Sequence, residues 1–205
     1  MTKLLKPGGG RADLSFIADW IDRGSSVLDL GCGDGELLAH LARGKGVRGI
    51  GVEIESARAL SAIRKGIPVL QRDLDEALSY FGDGSFDTAI LSQTIQELRH
   101  PRDTLREILR VANRAIVSFP NFGHLPLRLQ LLFHGTMPRT RALYWQWYDT
   151  PNIHLMTVRD FTSFCEEEGY RVLERHYIRG GRVIDRLPFP NLLSEGCIAL
   201  VTAKN

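Results

Sequence analysis

Apolar residues recur along this chain at two spacings, and the two alternate. Short runs read as strands: Val27-Leu28-Asp29-Leu30, Val47-Arg48-Gly49-Ile50-Gly51-Val52-Glu53, Pro68-Val69-Leu70-Gln71, Phe86-Asp87-Thr88-Ala89-Ile90-Leu91-Ser92 and Asn113-Arg114-Ala115-Ile116-Val117-Ser118-Phe119. Their nearly continuous apolar character suits strands covered on both faces. Between them the apolar positions return every three or four residues. That spacing predicts helices over 14–21, from 36 to Gly44 or Gly46, over 56–64, over 76–80 and, after Pro101, over 103–110. Asp13 is placed to cap the first of these and Gly24 to mark its end. Thr157, with Asp160 three residues on, caps a later helix that closes at Gly169. A strand at 170–178, a Gly180-Gly181 turn, a loop over 182–195 and a terminal strand at 197–203 complete the pattern. The expected fold is α/β: a doubly wound, mostly parallel seven-stranded sheet with an antiparallel edge strand.

Residues 122–154 interrupt this rhythm. A mostly apolar stretch, 125–133, predicts a short helix, and Tyr144, Trp145, Trp147 and Tyr148 follow close together. Long ordered segments at the carboxyl edge of a sheet close a site or present an interface. Tyr, Trp and Arg are also the residues that anchor interfaces. The segment therefore reads as an aromatic-rich insertion, either a docking surface or a lid packed on its own domain. Residues 1–12, polar and glycine-rich, read as a lead-in or a flap. With 205 residues, 1–205 is expected to form one domain.

The candidate chemistry starts where the first strand runs into Gly31-Cys32-Gly33-Asp34-Gly35 and then a helix. Strand, glycine turn and helix form the local geometry of a nucleoside pocket, and the amides opening the helix favour an anion. The third glycine comes too early for the dinucleotide pattern, and no Gly-Lys-Ser/Thr follows to cradle phosphates. Glu53, closing the second strand, is placed to accept both hydroxyls of a ribose; a solvent-facing or capping glutamate is the alternative. Asp73, after the third strand, suits an adenine amino group or else the cap of the short helix behind it. Leu74 would pack on the ring or offer its amide. Ser92 and Gln93 lie at the carboxyl edge of the fourth strand, with Thr94 and Gln96 just beyond. A ligand with adenine, ribose and a carboxylate, and no phosphate contacts, describes S-adenosylmethionine better than NAD. The candidate cofactor-binding residues are Asp29, Gly31, Cys32, Gly33, Gly35, Glu53, Ile54, Asp73, Leu74, Ser92 and Gln93, for S-adenosylmethionine or S-adenosylhomocysteine.

Composition narrows the remaining classes. A net charge of +2 from 26 bases and 24 acids does not argue for nucleic acid or an anionic membrane as partner. Cys32, Cys165 and Cys197 are odd in number, widely spaced and without metal-ligand spacing, which fits a reducing, cytoplasmic setting. No Gly-x-Ser-x-Gly elbow is present, and the histidines lack tight metal spacing. His124 and His154 flank the insertion as candidates for proton transfer, partner contact or plain loop hydrogen bonding. Cys32 reads as a small filler in the turn rather than a nucleophile. No catalytic residue is assigned.

The stretch 29–35, Glu53 and Asp73 resemble class I S-adenosylmethionine-dependent methyltransferases, which implies their Rossmann-like fold. A narrower resemblance covers most of the chain. Residues 30–38, 49–54, 71–76 and 86–94, Ala115 to His124, and Trp147-Tyr148-Asp149-Thr150-Pro151-Asn152-Ile153-His154 are similar to the MetW family of methionine biosynthesis proteins. The resemblance implies association with homoserine O-acetyltransferase, or a related homoserine O-acyltransferase, and support of its acylating activity. It makes Tyr144, Trp145, Trp147, Tyr148, His124 and His154 candidate partner or lid residues. A small-molecule methyltransferase with the same pocket is the second reading. Beyond residue 154 the resemblance thins, and 179–196 takes no role from it.

Overall fold

The computed structural model describes residues 12–140 and 143–204. The expected lead-in or flap falls almost wholly outside them. Helix α1 (Ala12–Trp20) precedes strand β1 (Ser26–Leu30). Then α2 (Glu36–Lys45), β2 (Arg48–Val52), α3 (Ser56–Arg64) and β3 (Val69–Leu70) alternate. After α4 (Leu74–Ala77) come β4 (Thr88–Ser92), α5 (Pro101–Val111) and β5 (Ala115–Pro120). Helix α6 (Leu125–His134) and a long loop lead to α7 (Val158–Glu167), β6 (Tyr170–Arg179), β7 (Arg182–Ile184), α8 (Pro190–Leu193) and β8 (Gly196–Ala203).

The strands form one sheet in the order β3-β2-β1-β4-β5-β8-β6-β7. The first five pair in parallel, and β8 pairs antiparallel with both β5 and β6. The sheet has eight strands where the sequence predicts seven. The extra one is β7, a three-residue hairpin return on β6 inside the stretch read as a loop, and α8 lies there too. Three residues are too few to show a period. The reversal of order between β1 and β4 opens a crevice at the carboxyl ends of the strands, the usual place for a ligand in such sheets.

Alternate residues of each strand face opposite layers. Leu28, Leu30, Leu91, Val117 and Phe119 pack with α4, α5 and α7, whereas Val27, Ile90, Ile116 and Ile198 pack with α1, α2 and α3. The Thr157 capping box is present as expected, with Asp160 returning the bond. Asp13 is not the cap of α1. It lies inside the first turn, 3% exposed, and its carboxylate accepts from the hydroxyls of Ser92 and Ser118 at 3.0 and 3.1 Å. Long-range docking of the helix onto two strand tips outweighs the local cap.

Asn121 fastens the base of the insertion. Its side-chain oxygen accepts from the amides of Gly123 and Val158, and its nitrogen donates to the Ser194 carbonyl. The Phe122 amide donates to the Met156 carbonyl at 3.0 Å, which closes the loop's two ends. No helix among the described residues is long and apolar enough to cross a membrane.

Candidate functional site

The glycine turn is held at its start by the backbone of β2. The amides of Gly31 and Cys32 both donate to the Val52 carbonyl, at 2.9 and 3.0 Å. Gly31, Gly33 and Gly35 all adopt positive φ, at 78°, 57° and 72°. That is the left-handed region that glycine enters without steric cost. Their side-chain-free faces differ. A Cβ on Gly35 would meet that of Ala62 at 2.7 Å, and one on Gly31 would meet Thr94 Oγ1 at 3.0 Å. A Cβ on Gly33 would meet nothing within 4 Å. Gly35 is thus a packing glycine, and Gly33 faces open space.

That space is a cavity of about 510 Å³, lined by Leu14 of α1, Asp29, the turn from Gly31 to Asp34, Glu36 and Leu37 of α2, Arg58 of α3 and Ser92 of β4. Its size falls in the usual range for small-molecule sites, roughly 300–1,000 Å³. The N-cap of α2 is Gly35, which has no side chain to accept from the helix's opening amides.

Glu53 is brought to the turn. It is 7% exposed, and the Gly33 amide donates to its Oε2 at 2.9 Å while the Glu55 amide donates to Oε1 at 2.9 Å. Each carboxylate oxygen keeps a further lone pair for a hydroxyl. Ile54, next to it in the chain, is 62% exposed. Asp73 takes up the capping role weighed for it: Oδ1 accepts from the Asp75 amide at 3.1 Å. Leu74 opens α4 and packs on the core as a half-buried residue. Of the expected cofactor residues, Asp29, Gly31, Cys32, Gly33 and Ser92 line the cavity, whereas Gly35, Glu53, Ile54, Asp73, Leu74 and Gln93 do not.

Lys65 and Arg58 carry no signal in the sequence. Lys65 Nζ donates to the Asp34 carbonyl at 2.8 Å, to Asp34 Oδ2 at 3.0 Å and to Glu36 Oε1 at 2.7 Å. The Glu36 bond, above all, raises its pKa. It ties the outer side of the turn to the end of α3. Arg58 pairs with Glu55 at 2.8 Å and lines the cavity. Only the packing of α3 beside the turn brings these two charges there, so no motif in the chain announces them.

Cys32 is buried, and its thiol is pushed up to about 12 by burial and by the nearby charges of Asp29 and Glu53. A thiol so held is neutral at physiological pH and is a poor nucleophile. Burial pushes Cys165 and Cys197 up to about 12 as well. In the unfolded chain these thiols ionise near 9, so their contribution to stability is whole below pH 9 and is lost as the pH climbs towards 12. The melting temperature is expected to fall between pH 8 and pH 10, with up to about 1.4 kcal/mol lost per thiol per pH unit above the unfolded pKa. Thermal melts followed by circular dichroism check this; an unchanged midpoint contradicts it.

Gln93, at the tip of β4, holds a left-handed backbone with φ 58°, a rare state for a residue with a side chain. Ser92 bridges to Ser118 at 2.9 Å beside Asp13. His124 caps α6 without a side-chain bond, and burial lowers its pKa. His154 instead donates its amide to the Gln96 carbonyl at 3.0 Å. No hydrogen bond joins the two rings among the described residues. Tyr144, Trp145, Trp147 and Tyr148 all face solvent, Trp147 at 73% and Tyr148 at 67%. Leu132 and Phe133 of α6 are as open, at 73% and 74%. Several large apolar side chains of this one segment are thus exposed. Among the described residues no group of three or more His, Cys, Asp or Glu is placed to hold a metal ion.

Solved structures share this architecture. Magnesium protoporphyrin IX methyltransferase from Synechocystis, solved with bound S-adenosylhomocysteine, is 18% identical with a TM-score of 0.67, over 96% of this chain and 84% of that one. The [4+2]-cyclase SpnF matches at 16% identity and a TM-score of 0.66, over 93% and 80%. The fold is therefore that of S-adenosylmethionine-dependent methyltransferases, and the fold alone does not name a reaction. A bifunctional methionine biosynthesis protein MetXA/MetW from Rhodopirellula baltica is 39% identical over 204 residues, 94% of this chain and 33% of that protein. The chain spans 33%, 47% and 58% of the length of the first three curated relatives it matches. The family model for methionine biosynthesis protein MetW matches residues 11–201, which include the turn, cavity and insertion just described, and the chain belongs to that family.

Proposed function

We propose that this protein binds S-adenosylmethionine or S-adenosylhomocysteine in the cavity at the glycine turn and acts in methionine biosynthesis as a docking partner of a homoserine O-acetyltransferase. The observation that carries the ligand half is Glu53, a buried carboxylate that accepts from the amide of Gly33, a residue lining the cavity. Glu53 accepts the ribose hydroxyls, Ile54 covers one face of the adenine, and the opening amides of α2 receive the carboxylate. The adenine edge runs towards β3, where Asp73 keeps its second oxygen. Ser92 and Gln93 meet the amino-acid end at the tip of β4. When bound, such a cofactor supplies a transferable methyl group; the residues here orient it and shape its surroundings.

The partner half draws on the relative whose printed name joins MetXA and MetW in one polypeptide. Proteins fused in one chain act in close proximity, and a separate chain needs a surface to restore that proximity. The insertion supplies one, with Trp145, Trp147, Tyr148 and Phe133 exposed beside α6. Buried aromatic anchors of this kind carry most of an interface's energy. Pull-down with the acyltransferase, followed by its acylation assay with and without this protein, tests the pairing. No association and no change in acylation would remove the partner half. Trp147→Ala is expected to weaken the complex by about 2 kcal/mol, roughly 30-fold in Kd. Wild-type affinity in both Trp147→Ala and Trp145→Ala would place docking elsewhere.

A further inference from the structure

Hydrogen bonds link the cavity wall to the exposed strap of the insertion through one residue that neither half of the proposed function uses. Gln96 sits in the 3-10 turn Ile95–Glu97 just past β4 and is 4% exposed. Its main-chain carbonyl accepts from two amides of the insertion, Ile153 at 2.8 Å and His154 at 3.0 Å. Its side-chain nitrogen donates the other way, to the Gln93 carbonyl at 2.7 Å. The Gln93 amide in turn donates to the Ser118 carbonyl at 2.9 Å. The Ser118 hydroxyl meets that of Ser92 at 2.9 Å, and Ser92 lines the cavity. A continuous run of hydrogen bonds thus leads from the cavity wall to the strap that follows Trp147 and Tyr148.

The joint is imperfectly satisfied as it stands. Gln96 Oε1 and His154 Nε2 are both buried, and neither has a hydrogen-bond partner among the described residues. A buried polar atom without a partner keeps its desolvation cost and gains nothing in return. Gln93 adds a left-handed backbone at the same place, and strain of that kind concentrates at ligand clamps and switches. A small movement that gave Gln96 Oε1 a donor would relieve the joint. It therefore has a physical reason to hold a second arrangement, which coupling between two sites requires.

We propose that Gln96 is a positioning residue that couples occupancy of the cavity to the order of the strap 147–155, and through it to docking of the acyltransferase. This rests on the ligand and the partner proposed above. A ligand seated against Ser92 and Gln93 acts on the Gln93 carbonyl. The Gln96 side chain passes that restraint to the carbonyl holding Ile153 and His154. Coupling of this kind is reciprocal, so the docked partner tightens the ligand by the same factor that the ligand tightens the partner.

Hydrogen exchange of the full-length protein, with and without saturating S-adenosylmethionine, tests the coupling. Calorimetry on the same samples reports binding. In the wild type the ligand is expected to slow exchange across 147–155 by about fivefold or more. Gln96→Leu and Gln96→Met fill the same space but donate nothing to Gln93. Both are expected to bind the ligand within about threefold of wild type and to lose the exchange response. The ratio of partner Kd with and without ligand should fall to one in the same variants. The two substitutions differ in shape, so a folding defect in one leaves the other as the test. Binding without slowed exchange in the wild type overturns the coupling alone, as does an undiminished response in either folded variant. Absence of ligand binding to the wild type overturns the ligand reading and the coupling with it.

Discussion

Glu53→Ala is expected to raise the Kd for S-adenosylmethionine by about 100-fold, or about 2.7 kcal/mol. Three losses combine. Two ribose hydroxyls lose a charged acceptor, and hydrogen bonds to a charged group contribute about 1.5–3 kcal/mol each. The Gly33 amide, which donates to Glu53 Oε2 at 2.9 Å, loses the partner that holds the turn in its receptive shape. The Glu55 amide at the start of α3 is left without its acceptor as well. Glu53→Gln keeps the shape but brings a second donor against one of these two amides. It is expected to weaken binding by about 30-fold, still more than a neutral hydrogen bond would explain. Isothermal calorimetry decides the matter, with thermal melts to show that the variants stay folded. A change below about fivefold for Glu53→Ala would mean that the ribose is held elsewhere.

The glycine turn supports the second large expectation, a separation of stability from binding. Gly35→Ala adds a methyl group that must sit 2.7 Å from Ala62 Cβ, on a backbone with φ 72°. Ala62 is fully buried and cannot move aside. Overpacking costs about 1–3 kcal/mol and a left-handed non-glycine residue about 1–2 kcal/mol. Together these should lower stability by about 3 kcal/mol or more, a fall of roughly 10 °C in Tm for a chain of this size. Gly33→Ala meets nothing within 4 Å, so only the backbone cost of about 1 kcal/mol applies. Its methyl group projects into the open side of the turn, and ligand affinity should drop about tenfold or more while Tm moves by only a few degrees. Melts and calorimetry on both variants check the pair. Equal loss of stability in the two would contradict the packing difference, and unchanged affinity in Gly33→Ala would mean that the open face of Gly33 is not where the ligand lies.

The proposed docking surface rests on different physics from the slot. Trp147, Tyr148, Leu132 and Phe133 are exposed, and of α6 only Leu127 is buried. Apolar surface left in water gains by being covered, at about 25 cal/mol per Å². The slot, in contrast, is polar at its rim and depends on a few placed donors and acceptors. Gln96 lies between the two regions, which is why a change there should alter their communication more than either binding event.

How far the chain could be read in advance differs from residue to residue. Local chemistry was enough for the alternation of strands and helices, for the Thr157 cap and for the glycine turn, because apolar spacing, side-chain caps and positive φ act over a few neighbouring residues. It also sufficed to place Glu53 at a strand tip beside that turn, since parallel strands in register bring their ends together. What lay beyond local chemistry was decided by contacts distant in sequence. Asp13 offers a plausible cap on paper, yet two serine hydroxyls about 80 and 100 residues away claim its carboxylate, and a buried bond outweighs an exposed one. The hairpin strand Arg182–Ile184 exists only because β6 is there to pair with it. Arg58 and Lys65 reach the turn because α3 packs alongside it, and Gln96 joins cavity to strap only once the insertion folds back onto the end of β4. Periodicity and turn chemistry set which elements form and where the slot opens. Only the packed sheet, by choosing which distant groups share a dry or polar neighbourhood, decided which side chains complete it.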